Sequence, residues 1–259
     1  MVRDEKPKGF FYLDHRTVDG KVGIIADSYA TPGNVHDSQP YLSRLDRQGK
    51  RFGLWPDAVG LDAGYFTAAV CHGLEIRGIA GVMGYRRPNK GEGLLAKMLY
   101  HFDSEGYFYQ CPQGQRLSYR TTSRTGYRQY HSDPKQCETC PSLPQCTKSR
   151  NFTKVLTRHV FEDAKDRANE TRISDWGKRI YVKRKETVER SFADAKQHHG
   201  HRYAKFRGLE KVQMQCLLAS ACQNMKKMAL IRALLCYFRW IGGKKGPFAR
   251  LIFQMQANF

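Results

Sequence analysis

Ala58-Val59-Gly60-Leu61-Asp62-Ala63-Gly64-Tyr65 is the stretch on which the reading of this chain turns. Its first four residues form a short apolar run of the kind that fills a buried strand, and the run closes on an acid. A carboxylate at the C-terminal end of a strand in an α/β sheet stands at the edge where ligands bind. Gly60 and Gly64, on either side, permit close backbone approach. Two readings of Asp62 fit equally: a site carboxylate, or an Asp capping the helix that follows.

Upstream of this stretch, residues 9–30 predict a β-hairpin. Phe10, Phe11, Tyr12 and Leu13 lead to Val18, Asp19-Gly20 is a strong two-residue turn, and Val22 to Ile25 return. Thr31-Pro32-Gly33-Asn34 ends the second strand, and Asn34 is suited to cap a helix carrying Val35, Tyr41, Leu42 and Leu45. Downstream, a small helix with Ala68, Ala69 and Val70 precedes another apolar strand, Ile79 to Met83. Strand and helix alternating in this way predict an α/β layer. Residues 1–88 therefore form the first part of a core.

From about residue 88 the composition changes. Residues 89–165 are polar, rich in Tyr and Arg, and hold four of the cysteines; they read as an insert with little core of its own. Residues 166–235 read as the helical remainder of the core, with helices over about 184–199 and 209–235. Residues 236–259, containing Gly242-Gly243-Lys244-Lys245-Gly246-Pro247, read as a peripheral tail.

Lys and Arg number 44 against 24 Asp and Glu, a formal charge of +20 across 259 residues. That excess favours polyanions, nucleic acid or an acidic membrane surface, and names no activity. The chain opens on Met1-Val2-Arg3-Asp4-Glu5-Lys6, without the apolar run of a signal peptide. Its most apolar late stretch, Ala229 to Ile241, is broken by Arg232 and Arg239 and falls short of the roughly 20 residues that span a bilayer. A soluble cytoplasmic protein without membrane partners is expected. Eight cysteines in that setting point to reduced thiols, and to metal before disulfides.

Cys111, Cys137, Cys140 and Cys146 supply four thiols to a polar segment that zinc would cross-link; unligated thiols are the alternative. Cys71, Cys216, Cys222 and Cys236 lie in apolar helical contexts and are expected to be buried. His198-His199-Gly200-His201 looks like a metal cluster. Adjacent helical histidines diverge, however, and with Arg202, Lys205 and Arg207 following, a turn facing phosphates is the expectation. Tyr85-Arg86-Arg87 and Tyr119-Arg120 would contact a nucleic-acid backbone or simply be surface.

A second acid, Glu189, lies in the run Arg184-Lys185-Glu186-Thr187-Val188-Glu189-Arg190-Ser191-Phe192-Ala193-Asp194-Ala195-Lys196. At helical spacing Glu189, Phe192 and Lys196 share one face, and Val188 and Ala195 line the adjoining apolar stripe. There Glu189 would hold a metal while Lys196 meets a phosphate. The competing reading is a solvated helix with ordinary charge pairs.

Gly60 to Tyr65 resembles the second-Asp motif of DDE transposases from bacterial insertion sequences, and Arg184 to Lys196 is similar to their Tyr, Arg, Glu, Lys signature. Tyr181 and Arg184 are spaced correctly from each other but stand one residue too far from Glu189. The hairpin phrase Tyr12-Leu13-Asp14-His15, the phrase Thr31 to Asp37 and the four-cysteine insert match as well. The resemblance implies an RNase H-like fold, a mixed sheet flanked by helices. Asp62 and Glu189 would hold Mg2+ or Mn2+ for cleavage and joining of DNA strands. It implies Tyr181, Arg184, Arg190, Lys196, Arg202, Lys205 and Arg207 as DNA contacts, and a homodimer in a DNA complex. The family's first Asp sits on a central strand upstream of the hairpin, so Met1 looks like an internal methionine. A copy lacking that strand would be inactive. The competing functions are a non-enzymatic zinc-containing DNA- or RNA-binding protein, and a nuclease without strand transfer.

Overall fold

A computed structural model describes residues 9, 11–85 and 93–242. In chain order the elements are β1 (Tyr12–Val18), β2 (Ile25–Pro32), α1 (Tyr41–Phe52), β3 (Ala58–Leu61), α2 (Ala68–Glu75) and β4 (Ala80–Met83). There follow β5 (His101–Asp103), β6 (Phe108–Gln110), β7 (Arg116–Thr122), β8 (Tyr127–Ser132), α3 (Pro134–Glu138), α4 (Leu143–Cys146) and β9 (Val155–His159). The chain closes with α5 (Glu162–Ile173), α6 (Asp175–Arg184), a π-helical turn over Lys185–Glu189, α7 (Arg190–His198) and α8 (Leu209–Gly242). The protein is thus mixed α/β. It separates into two units, Met1–Trp55 with Lys178–Phe259, and Pro56–Gly177. The segments expected at 1–88, 89–165 and 166–235 follow composition, whereas these units follow packing. Its described strands form three sheets, β1-β2, β3-β4 and β5-β6-β7-β8-β9.

In the first unit β1 and β2 pair antiparallel, from Tyr12↔Pro32 to Val18↔Ile25. The predicted two-residue turn is corrected to a longer one. Asp19 Oδ2 accepts from the amides of Lys21 (2.9 Å) and Val22 (2.6 Å). Its own amide donates to the Ile24 carbonyl, and Gly23 takes a left-handed φ of +73°. The Asp19 side chain outcompetes ladder pairing, so the return strand starts at Ile25. The predicted cap at Asn34 is also corrected. Helix α1 begins after Pro40, whose ring disfavours helix in the preceding residue, and it has no side-chain cap. Phe10 of the predicted hairpin lies outside the described residues.

Helix α8 buries one stripe, Val212, Cys216, Ala219 and Gln223, at i, i+4, i+7 and i+11. Val212 and Cys216 pack on Ala30 and Tyr12. Its amides also cover backbone groups of β2: Gln213 accepts from Ala30 N (2.7 Å) and donates to Ser28 O (3.0 Å). Asn224 accepts from Ile25 N (2.8 Å) and donates to Ile25 O (2.9 Å). A helix covering a sheet edge in this way leaves no open template for pairing there. The helix runs to Gly242, seven residues into the expected tail; residues 243–259 lie outside the described residues. Cys71 and Cys216 are buried as expected, but Cys222 and Cys236 are exposed, because α8 turns only one side to β2.

In the second unit β3 and β4 are parallel, from Ala58↔Ala80 to Leu61↔Met83. Buried Val70, Cys71 and Leu74 of α2, Val82 and Met83 of β4, and Ala164 of α5 make the core beside them. Arg167 of α5 grips both oxygens of Glu75 of α2, at 2.6 and 2.8 Å. The insert does have a core, contrary to expectation. Tyr100, Tyr109, Leu117, Tyr130 and Leu156 form a buried cluster under the five-stranded antiparallel sheet. Tyrosine supplies three of those five side chains, and the rings of Tyr109 and Tyr130 meet edge to face at 5.1 Å.

Candidate active site

Strand β3 delivers Asp62 to its C-terminal end, as the sequence predicts. Asp62 is exposed, and its Oδ1 accepts from the Ala63 amide at 2.7 Å, capping the single 3-10 turn Ala63–Tyr65. The capping reading is realised, on this 3-10 turn and not on α2, and the residue stays exposed. Helix α2 has its own cap in Thr67, which accepts from Val70 N.

Glu189 closes the π-helical turn Lys185–Glu189. In a regular α-helix, residues five apart diverge by about 140°. A π turn takes up one additional residue and brings positions i and i+5 together. The surplus residue between Arg184 and Glu189 is absorbed there: Arg184 Nη2 lies 2.6 Å from Glu189 Oε1. Arg184 also stacks over the Tyr181 ring, 5.1 Å from its centroid. Tyr181, Arg184 and Glu189 thus form one group despite their spacing. The hydroxyl of Thr187, 3.0 Å from the Lys183 carbonyl and 3.3 Å from that of Arg184, is placed to donate to backbone acceptors that a π turn displaces. The Glu189 side chain is 50% exposed and that of Arg184 14%.

The helix after Glu189 is held from below by a residue that sequence reasoning missed. Arg16 of β1 has a side chain 0% exposed. Its Nη1 donates to Ser191 Oγ (3.0 Å), Ser191 O (3.3 Å) and Gln223 Oε1 (2.9 Å). Its guanidinium lies 4.7 Å from the centre of the Phe192 ring, and its Nε bonds Asp14 Oδ2 at 2.8 Å. Ser191 and Ala195 are the buried positions of α7, so Glu189, Arg190 and Lys196 are left on the exposed side.

Asp14 also accepts from Ser28 (3.0 Å) and bonds His201 Nε2 (2.9 Å). Burial works against its ionised form, yet the His201 bond and the Arg16 charge prevail and hold its carboxyl below the ordinary range. Burial pushes the nearby Cys216 thiol up to about 12. Among the described residues, Asp14, His201 and Cys216 are the only group of three such side chains with ligand atoms mutually within 4.8 Å. Arg16 already occupies the same carboxylate oxygen, so the cluster is a closed charge network. The phosphate-facing reading of the histidine turn is corrected for His201, which points inward; Arg202, Lys205 and Arg207 are exposed.

Cys111, Cys137, Cys140 and Cys146 line one cavity with Tyr100, Leu117 and Ser132. No three of the four sulfurs come within 4.8 Å of one another. The Tyr100 hydroxyl and Cys146 Sγ are 3.1 Å apart, and Cys137 Sγ donates to Ser132 Oγ at 3.2 Å. Burial raises the Cys137 thiol, and the other three cysteines add to the rise. Arg86 and Arg87 lie outside the described residues, whereas Tyr119 and Arg120 are exposed on β7.

An acid at a parallel strand's end, an acid on a helix with a Tyr-Arg pair beside it, and a cysteine-bearing β insert are the features expected of DDE-type recombination enzymes. A family model described as "Transposase DDE domain" matches residues 110–229, which is 120 of the 259 residues. Over that span the chain carries transposase DDE domain sequence; the span includes Tyr181, Arg184, Glu189, Lys196 and the four insert cysteines, while Asp62 precedes it. No curated protein and no solved structure matches the chain.

Proposed function

We propose that this chain is the catalytic part of a DDE transposase that cuts DNA strands and joins them to new sites, acting in the bacterial cytoplasm on transposon ends and target DNA. The observation that carries the reading is the π turn, which sets Tyr181 and Arg184 beside Glu189 in spite of a spacing that departs from the motif. Asp62 and Glu189 fit a divalent ion in donor chemistry. Both are exposed, and among the described residues Asp62 engages only Oδ1 and Glu189 only Oε1. Each would offer oxygen ligands to Mg2+ or Mn2+, hard cations that supply charge stabilisation and an activated oxygen for phosphoryl transfer. Arg184 orients the Glu189 carboxylate. Exposed Arg190, Lys196, Arg202, Lys205 and Arg207 would bind DNA phosphates, and Tyr181 would back Arg184 against the strand.

Such reactions use a third carboxylate beside these two. A site with only two of the three in place would cleave DNA poorly, since positioning and charge stabilisation carry most of the acceleration in such reactions. The four insert cysteines fit zinc by donor type and by sharing one cavity. Zinc there would relieve mutual thiolate repulsion and staple the insert's small core; the assembly on DNA would be a homodimer.

Binding of Mn2+ followed by electron paramagnetic resonance tests the metal reading. Glu189→Gln and Asp62→Asn should each weaken binding severalfold at fixed salt. Unchanged affinity in both variants would remove these two residues from the metal site.

A further inference from the structure

The five-stranded sheet of the insert has two faces of opposite character. Its register places Tyr109 beside Leu117, and Tyr119 beside Tyr130 and then Leu156, on the face that covers the core and the cysteine cavity. On the other face the rows read Phe108, Ser118, His131, Val155 and Thr121, Gln129, Thr157, with Arg116 beside Gln110. Arg116, Ser118, Thr121, Val155 and Thr157 on this face are exposed. The side chains it offers include guanidinium, imidazole, hydroxyl and amide; the carboxylate in these rows, Asp103 on β5 beside Phe108, already accepts from the amides of Glu105 and Gly106.

The sequence is acid-free over the whole hairpin. Between Glu105 and Asp133 no Asp or Glu occurs, while Arg116, Arg120, Arg124 and Arg128 recur every fourth residue. Arg128 turns toward the core side, over the Tyr107 ring. The other three are exposed, and no carboxylate pairs with them among the described residues. Arg116 lies flat on Phe108, 4.2 Å from the ring centre, which orients its fork without neutralising it. Arg120 sits at the irregularity between Tyr119 and Thr121, next to His131, whose pKa is lowered by burial and then by the Arg120 charge. Arg124 is at the turn that joins β7 to β8.

We infer that this outer face, with Arg116, Arg120 and Arg124, is a docking surface for the phosphate backbone of a DNA duplex, separate from the contacts around Glu189. Charge complementarity selects the partner: a surface of unpaired arginines and neutral donors, with Asp103 confined to the β5 edge and engaged by turn amides, suits an evenly spaced polyanion. Four residues of strand span roughly 13 Å, so Arg116 and Arg120 reach different phosphates of one duplex. The exposed hydroxyls of Ser118, Thr121 and Thr157 add neutral donors to the same oxygens. The inference rests on the reading of the chain as a DNA-processing enzyme and adds a second anchoring surface to it.

Fluorescence anisotropy of a mixed-sequence 30-bp duplex titrated with the full 259-residue chain, at several salt concentrations, tests it. The triple variant R116S/R120S/R124S is compared with K50S/R51S/K211S, which removes the same charge at exposed sites elsewhere. Each phosphate contact contributes roughly 0.9 to the salt slope. The insert variant should therefore lose about 2–3 from that slope and at least about tenfold in affinity, and the control less than about threefold. Equal losses in both variants, or none in the insert variant, would overturn the inference while leaving the active-site reading intact. Duplex RNA bound about tenfold more tightly than DNA by the same three arginines would overturn the assigned partner. A wild-type chain that binds no duplex would instead sink both readings. Circular dichroism of both variants, expected to match wild type, separates lost contacts from lost fold.

Discussion

Replacing Arg16 by Met should destabilise the first unit more than any exposed substitution near the proposed site. The guanidinium is fully buried and makes an ion pair to Asp14, hydrogen bonds to Ser191 and Gln223, and a contact on Phe192. Removing one partner of a buried pair costs about 3–5 kcal/mol, because the other charge stays buried without compensation. With a urea m-value near 2 kcal/mol/M, the midpoint should fall by about 1.5–2.5 M, read by circular dichroism on the purified chain. The double variant D14N/R16M should be less destabilised than R16M alone, since it leaves no orphaned charge. The pH dependence follows from Asp14, whose folded carboxyl lies below its ordinary 3.8. Its contribution is present above pH 4 and is lost as pH falls through the folded value. In R16M that loss should begin at higher pH. A midpoint shift below about 0.5 M, or a double variant less stable than the single, would refute the assignment of Arg16 as the anchor of the Glu189 helix.

Two further outcomes are expected. The chain purified without chelator should carry about one zinc, and Cys137→Ser should lose it while hydrogen exchange quickens in β7 and β8 but not in β1 and β2; a metal-free wild-type chain would count against the site. Thr187→Val should cost about 1 kcal/mol locally and speed exchange of the amides around Lys185–Glu189, because the displaced carbonyls lose a donor; unchanged exchange would mean the π turn does not depend on that hydroxyl.

What the sequence disclosed follows from where burial is regular. Ala58–Leu61 and Ala80–Met83 are short apolar runs, and both are strands as read, with Asp62 at the predicted edge. Helix α8 was visible in its long apolar stretch. The turn after β1 was misjudged because Asp19-Gly20 suits a tight hairpin, yet the Asp19 carboxylate captures two later amides. Helix α5 escaped notice because it buries a single residue, Ala164, and so carries no apolar period. Tyr100, Tyr109 and Tyr130 counted as polar and hid a core. Arg16 and His15 are both buried although neighbours on a strand point to opposite faces, because Ser191 and Gln223 of α7 and α8 partner Arg16, and Thr31 of β2 partners His15. At Glu189 the sequence displayed a surplus residue, but only the backbone shows that a π turn absorbs it.

The central claim, that Asp62 and Glu189 serve a metal-dependent DNA strand cleavage, is tested most directly by nicking of supercoiled DNA with Mg2+ present or absent. The chain should be assayed joined to the first-strand region of a DDE transposase, which supplies a third carboxylate. The joined protein should cleave only with Mg2+, and Asp62→Asn or Glu189→Gln should each lower the rate at least about a hundredfold, the cost of removing charge stabilisation at the reacting phosphate. Cleavage by the joined protein that survives Asp62→Asn or Glu189→Gln, or that proceeds without Mg2+, would contradict the account.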